Sequence, residues 1–82
     1  MKAPKLRIVH DKWLWQRAKA LETKLLKKYG KSLSASSIDT RFYKCIVECR
    51  IDENTTEIDY TMYREICKEI EKEYKEKEKN GS

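Results

Sequence analysis

The feature that most constrains the fold is a regular apolar period between Lys12 and Tyr29. Apolar residues recur there every three or four positions, at Leu14, Ala18, Leu21, Leu25 and Tyr29. At 3.6 residues per turn, this spacing places all five on one face of a helix about five turns long. The period therefore predicts a long amphipathic helix that buries one face.

Both ends of this helix carry recognisable end signals. Asp11 takes the place of an N-cap, and Val9 and Trp15 take the two positions of a hydrophobic staple. Gly30 follows the last apolar residue, where a left-handed residue commonly ends a helix. The sequence thus predicts a helix bounded by Asp11 and Gly30.

The segments around this helix favour strands and a second helix. Residues 5–9 alternate polar and apolar side chains, which indicates a short first strand. Residues 31–37 form a serine-rich connector. A second alternation predicts a β-hairpin over about residues 43–60, with a turn at residues 52–56. Its apolar positions are Cys45, Val47, Cys49, Ile51, Ile58 and Tyr60. From Met62 onward the chain is rich in strong helix formers.

A helical period competes with the hairpin over the same residues. Ile38, Phe42, Cys45 and Cys49 are also spaced at helical intervals, which leaves an all-α three-helix bundle as the alternative. Residues 42–51 contain few strong helix formers, so we favour the strands. The prediction is an α+β fold of order β-α-β-β-α, with a long basic first helix and a charged C-terminal helix. Residues 1–74 form its single domain, and residues 75–82 form a charged, frayed tail.

Length and cysteine content restrict the class of protein. Eighty-two residues make one small domain, for which a partner or a second copy adds stability. No secretory signal and no membrane-length apolar run is visible, so we expect no membrane association. Three cysteines without a CxxC pair indicate a reducing compartment, which predicts a cytoplasmic protein. Abundant Lys and Glu are typical of hyperthermophile proteins, although an AT-rich genome produces the same bias.

Charge is distributed very unevenly along the chain. Residues 1–32 contain ten Lys or Arg and two acids, a net charge of +8, whereas residues 52–82 have a net charge of −4. A net charge of that size exceeds what solubility requires of a small domain. Such asymmetry indicates the chemistry of a partner rather than the fold.

The charge distribution predicts a small nucleic-acid-binding accessory or regulatory protein, for DNA or RNA. Basic side chains of the N-terminal third would contact phosphates, and Trp13 or Trp15 could stack on a base, since the two lie about 200° apart on a helix. Alternatively, Trp15 is the staple and Trp13 covers the sheet. The candidate binding residues are Lys5, Arg7, Lys12, Trp13, Arg17, Lys24, Lys27, Lys28 and Lys31. The alternative function is an inhibitor or adaptor that docks on an acidic protein surface, and a homodimer is compatible with both.

The sequence predicts neither catalysis nor a cofactor. It has one histidine, His10, and no glycine-rich phosphate loop, so the parts of an active site are not assembled. Cys45, Cys49 and Cys67 lack the paired spacing of a zinc site. We therefore expect these cysteines to be reduced and metal-free, with their small thiols packed in the core.

Overall fold

The chain begins with a short strand and a long helix. In the computed structural model, which describes residues 5–81, β1 spans Leu6–His10 and α1 spans Trp13–Tyr29. Gly30 follows α1 with φ 78° and donates its N–H to the carbonyl of Leu26 at 2.9 Å. Glycine adopts this left-handed conformation without steric cost. The predicted end of the first helix is confirmed.

The start of α1 differs from the prediction. Lys12 occupies the N-cap position without a side-chain cap, and His10 Nδ1 accepts the Lys12 N–H at 3.2 Å. The Asp11 carboxylate accepts the Thr56 hydroxyl at 2.8 Å instead of capping the helix. The predicted Asp11 cap is therefore wrong, because the carboxylate forms a hydrogen bond with Thr56 of a neighbouring strand. Trp15 is 39% exposed, so it is not the buried half of a staple.

A short helix that the favoured β-α-β-β-α order lacks follows α1. This α2 spans Ala35–Phe42 and continues into a 3₁₀ turn at Tyr43–Cys45. Ser34 caps α2 by accepting the Ser37 N–H at 3.2 Å, which is how serine starts helices. Phe42 and Cys45 are completely buried. The helical period of this segment was therefore genuine as far as Cys45.

The two remaining strands form the predicted hairpin. β2 spans Ile46–Glu48, β3 spans Thr55–Asp59, and both neighbours of β3 run antiparallel in the order β1-β3-β2. The α+β class is confirmed, and the three-helix bundle is wrong. The ladder aligns Ile46 with Ile58 and Glu48 with Glu57, which leaves Val47 as the extra residue of a bulge.

The bulge changes which side chains of the hairpin face inward. Cys45 and Ile58 are buried, but Val47 is 54% exposed, Ile51 is 46% exposed and Cys49 is also exposed. The prediction that all of these positions share one buried face is therefore wrong for Val47, Cys49 and Ile51. A bulge adds one residue to one strand, so the alternation beyond it no longer applies.

A six-residue loop, residues 49–54, connects β2 to β3 without a left-handed residue. Asp52 Oδ1 accepts the N–H of Asn54 at 2.9 Å, and the N–H of Ile51 donates to the carbonyl of Thr55 at 3.0 Å. Among the described residues only Gly30 has a positive φ. The Asx turn of Asp52 therefore takes the place of the glycine that a tighter hairpin requires.

The last helix, α3, spans Tyr60–Gly81. Asp59 Oδ1 accepts the N–H of Met62 at 3.0 Å and so stabilises its first turn. Ile66, Ile70 and Tyr74 bury one face at helical spacing. Residues 75–81, predicted as a tail, continue this helix in the structure. No helix in the described part of the chain is long and apolar enough to cross a membrane.

One hydrophobic core joins the three helices to the inner face of the sheet. The predicted face of α1 contributes its buried Leu14, Ala18 and Leu25, with the partly buried Leu21 and Tyr29 packed against them. Residues of β1 alternate, so Val9 is buried, whereas Leu6 and Ile8 on the opposite face are 51% and 60% exposed. The outer face of β1 is thus an apolar surface open to solvent.

Candidate nucleic-acid interface

The surface of α1 that points away from the core carries a row of unpaired ammonium groups. Lys12, Lys19 and Lys27 are all exposed and follow one another at intervals of seven and eight residues. At 1.5 Å per residue the row is about 22 Å long. Within the described part of the chain none of the three forms an ion pair. We call these three residues the basic row.

Two other predicted lysines already have an anionic partner. Lys28 Nζ lies 2.7 Å from Glu71 Oε1, and Lys24 Nζ lies 3.7 Å from Glu71 Oε2. The hydrogen bond from Lys28, with the charge of Lys24, holds the pKa of the Glu71 carboxyl below its usual range. The same hydrogen bond raises the pKa of Lys28. A phosphate that approaches these two lysines must therefore compete with Glu71.

Trp13 is enclosed by cations and rings rather than presented to solvent. The Arg7 and Arg17 guanidinium groups lie 5.6 Å and 5.2 Å from its ring centroid. The Tyr63 ring lies 4.9 Å away, and Arg7 also lies 5.1 Å from the Tyr60 ring. Trp13 is half-buried against the core. It therefore orients two arginines by cation–π contacts, and its ring faces are not a free stacking platform.

The exposed aromatic of α1 is Trp15. Lys19 Nζ lies 5.9 Å from its ring centroid, and Leu26, 54% exposed, lies on the same flank of the helix eleven residues further on. The sequence limited the choice to Trp13 or Trp15, because residues two apart face opposite sides. The contact with Tyr63 on α3 decides it, and no local pattern could have shown that contact.

The remaining predicted residues lie at the ends of the N-terminal elements. Lys5 precedes β1, where its carbonyl accepts the N–H of Tyr60 at 2.7 Å, and its side chain is exposed. Lys31 is exposed directly after the glycine that ends α1. Lys2, the remaining base of the N-terminal third, lies outside the described residues. Exposed bases thus precede β1 and follow α1 in the chain.

Sequence reasoning missed how the charges of α3 divide between two sides. Glu71 lies on the side of α3 that faces α1, since it contacts Lys28. Residues three, four or seven positions apart lie on one side of a helix, so this side also carries Arg64, Lys68 and Lys75. The acids Glu65, Glu69 and Glu73 follow at i, i+4 and i+8 on a different side, where Glu73 pairs with Arg41 of α2. The i+7 and i+8 spacings in the sequence are the signal that could have shown this.

A small cleft of 270 Å³ lies between the start of α1 and the hairpin. Its polar groups contact one another, because the Thr56 hydroxyl is 2.8 Å from Asp11 Oδ1 and 2.9 Å from the carbonyl of Cys49. His10, also in the cleft, accepts the Lys12 N–H. No group of three or more His, Cys, Asp or Glu residues suited to a metal ion occurs in the described part of the chain.

The three thiols occupy different environments. Cys45 is buried and its Sγ–H donates to the carbonyl of Phe42 at 2.8 Å. Burial raises the pKa of this thiol to about 11. Cys67 is half-buried and Cys49 is exposed, so the expectation of three thiols packed in the core is wrong for Cys49.

The fold and this surface together define a small α+β domain with a basic first helix. No protein-family model matches the chain, and neither the curated proteins nor the solved structures compared with it include a match.

Proposed function

We propose that this protein is a non-enzymatic nucleic-acid-binding factor, with an accessory or regulatory role, that contacts the phosphate backbone through α1. The observation that carries the proposal is the basic row of Lys12, Lys19 and Lys27. These side chains have no acidic partner in the described part of the chain, and they span about 22 Å of helix. Duplex DNA presents one negative charge per about 1.7 Å of its axis. The row is therefore long enough to contact several phosphates of an extended polyanion.

The residues around the row extend the same surface. Arg17 is held at Trp13, and Lys24 and Lys28 lie toward α3, where Glu71 neutralises part of their charge. With four to six phosphate contacts, the slope of log affinity against log salt concentration should be about −4 to −5 on duplex DNA. Backbone contacts of this kind give affinity without sequence preference.

The test replaces the basic row. A Lys12→Gln, Lys19→Gln, Lys27→Gln variant is compared with the wild type in fluorescence anisotropy titrations of labelled duplex DNA, single-stranded DNA and RNA across a salt series. The slope on duplex DNA should become shallower by about 2.7, since three contacts of about 0.9 each are removed. All three lysines are exposed, so the circular dichroism spectrum of the variant should match that of the wild type.

The matched control removes the same charge elsewhere. A Lys44→Gln, Arg50→Gln, Lys72→Gln variant also loses three exposed cations, none of them on α1 or on the side of α3 that carries Glu71. This control should keep the wild-type slope within about one contact. Equal loss in both variants, or no binding by the wild type at about 50 mM salt, would contradict the proposal.

A specific observation also supports docking on an acidic protein surface. Trp15 is 39% exposed and Leu26 is 54% exposed on one flank of α1, beside Lys19. Exposed aromatic residues next to cations are typical anchors of protein interfaces. If the wild type binds no nucleic acid, Trp15→Ala should abolish capture of an acidic protein partner, whereas Trp13→Ala should mainly destabilise the fold.

A further inference from the structure

In the described part of the chain the sheet has two free edges, at β1 and at β2, and the backbone groups of β1 can be assigned from the ladder. The N–H of Tyr60 donates to the carbonyl of Lys5 at 2.7 Å, and the N–H of Asp11 donates to the carbonyl of Asn54 at 2.8 Å. These residues lie directly opposite one another in the β1–β3 register. Hydrogen-bonded pairs alternate along an antiparallel ladder, so residues 5, 7, 9 and 11 bond to β3. The N–H and C=O groups of residues 6, 8 and 10 therefore lie in the plane of the sheet and point away from β3, toward the free edge.

The side chains of the same residues form an apolar surface. Leu6 is 51% exposed and Ile8 is 60% exposed, although both lie in a regular strand. Among the described residues, no strand pairs with β1 on the edge opposite β3. An edge that combines unpaired backbone groups with exposed apolar side chains is a template for another strand.

We infer that β1 pairs with β1 of a second copy of this chain, antiparallel about a two-fold axis at Ile8. Leu6 then lies opposite His10 of the partner copy, and Ile8 lies opposite its own equivalent. These three pairs use all the outward N–H and C=O groups of the strand, with two hydrogen bonds in each pair. The two sheets become one of six strands, and the exposed Leu6 and Ile8 side chains of both copies meet on its outer face.

Charge selects this register over the neighbouring ones. Pairing about Ile8 places Lys5 opposite Asp11 of the second copy, so a cation faces an anion at each end of the shared ladder. Within its own copy the Asp11 carboxylate also accepts the Thr56 hydroxyl and lies 3.8 Å from Arg50, so the pairing with Lys5 adds to these contacts. Moving the axis to Arg7 would place two guanidinium groups opposite each other, and like charges directly opposite destabilise a sheet. Moving it to Val9 would leave Leu6 beyond the end of the opposing strand. The sequence of β1 is thus self-complementary in one antiparallel register.

Sedimentation equilibrium tests the dimer. The wild type should have twice the 9.9 kDa mass of the chain. Ile8→Lys places two ammonium groups opposite each other and should be monomeric, with its helical circular dichroism unchanged because residue 8 is exposed. Leu26→Lys is the matched control, since it adds the same charge at a similarly exposed apolar residue of α1 and should remain dimeric.

Cysteine cross-linking tests the register. In a Cys49→Ser background, Ile8→Cys should form an intermolecular disulfide on oxidation, since hydrogen-bonded partners lie about 5.5 Å apart between Cα atoms. Leu6→Cys should not, because the two copies of residue 6 would be about 14 Å apart. A monomeric wild type up to about 1 mM, or cross-linking through Leu6→Cys alone, would overturn the inference. Both readouts are independent of nucleic-acid binding.

Discussion

Glu71 is the residue whose replacement tests the proposed interface most sharply. Its carboxylate holds Lys28 at 2.7 Å and Lys24 at 3.7 Å, while these two lysine side chains are 48% and 60% exposed. Because the pKa of Glu71 is lowered, the carboxylate is charged throughout the neutral range and competes with any phosphate for both ammonium groups. Glu71→Gln removes the competing charge and leaves the two lysines in place.

The expected change can be calculated from the number of lysines released. Two additional phosphate contacts make the slope of log affinity against log salt steeper by about 1.8 on duplex DNA. The affinity of Glu71→Gln relative to the wild type should then be about tenfold greater at 50 mM salt than at 200 mM salt. Fluorescence anisotropy titrations at four or five salt concentrations measure both quantities.

The control for this substitution is Glu65→Gln. It changes the net charge by the same amount, but Glu65 lies on the other side of α3, one residue after Arg64 and away from the lysines of α1. Its salt slope should match that of the wild type. If both variants gain the same affinity with the same slope, only net charge matters, and Lys24 and Lys28 are not part of the interface.

Two further predictions concern buried and exposed titratable groups. Burial raises the pKa of the Asp39 carboxyl. The folded state therefore favours the protonated carboxyl, and the stability of the protein falls as the pH rises through the raised pKa. Asp39→Asn should therefore have a higher denaturant midpoint of unfolding than the wild type at pH 7, and this difference should shrink at acid pH. An equal difference at both pH values would contradict this prediction. Aromatic disulfide reagents at pH 8 should modify exposed Cys49 first and buried Cys45 only on unfolding. Cys49→Ser should therefore remove the fastest phase of the modification reaction. An unchanged fast phase would show that another thiol is accessible.

The parts of the fold that could be predicted are those encoded by local periods. The apolar period of α1 and the left-handed Gly30 depend only on neighbouring residues, and the structure reproduces both. Between residues 38 and 51, two periods overlapped, and each was correct for part of the segment. The helical period holds to Cys45, and a strand begins at Ile46. The change of period follows from the packing of Phe42 and Cys45 in the core, which involves residues distant in sequence.

The candidate site was predictable in its charge but not in its pairing. The excess of lysine in residues 1–32 is a property of composition, and it marks α1 correctly as the basic element. Which lysines are available depends on contacts with α3, more than forty residues away, where Glu71 holds Lys24 and Lys28. Asp11 shows the same limit, since its expected capping role is replaced by a hydrogen bond to Thr56 on β3.

The net negative charge of residues 52–82 does not argue against the proposed phosphate contacts along α1. Net charge averages over a helix, whereas a bound polyanion meets one side of it, and the interaction is screened within about 10 Å at 0.1 M salt. On α3 the side that faces α1 carries Arg64, Lys68 and Lys75 around Glu71. The glutamates at positions 65, 69 and 73 lie on another side. In the proposed complex, a phosphate backbone that crosses from α1 toward α3 would therefore meet further cations, and Glu71 is the one carboxylate between them among the described side chains.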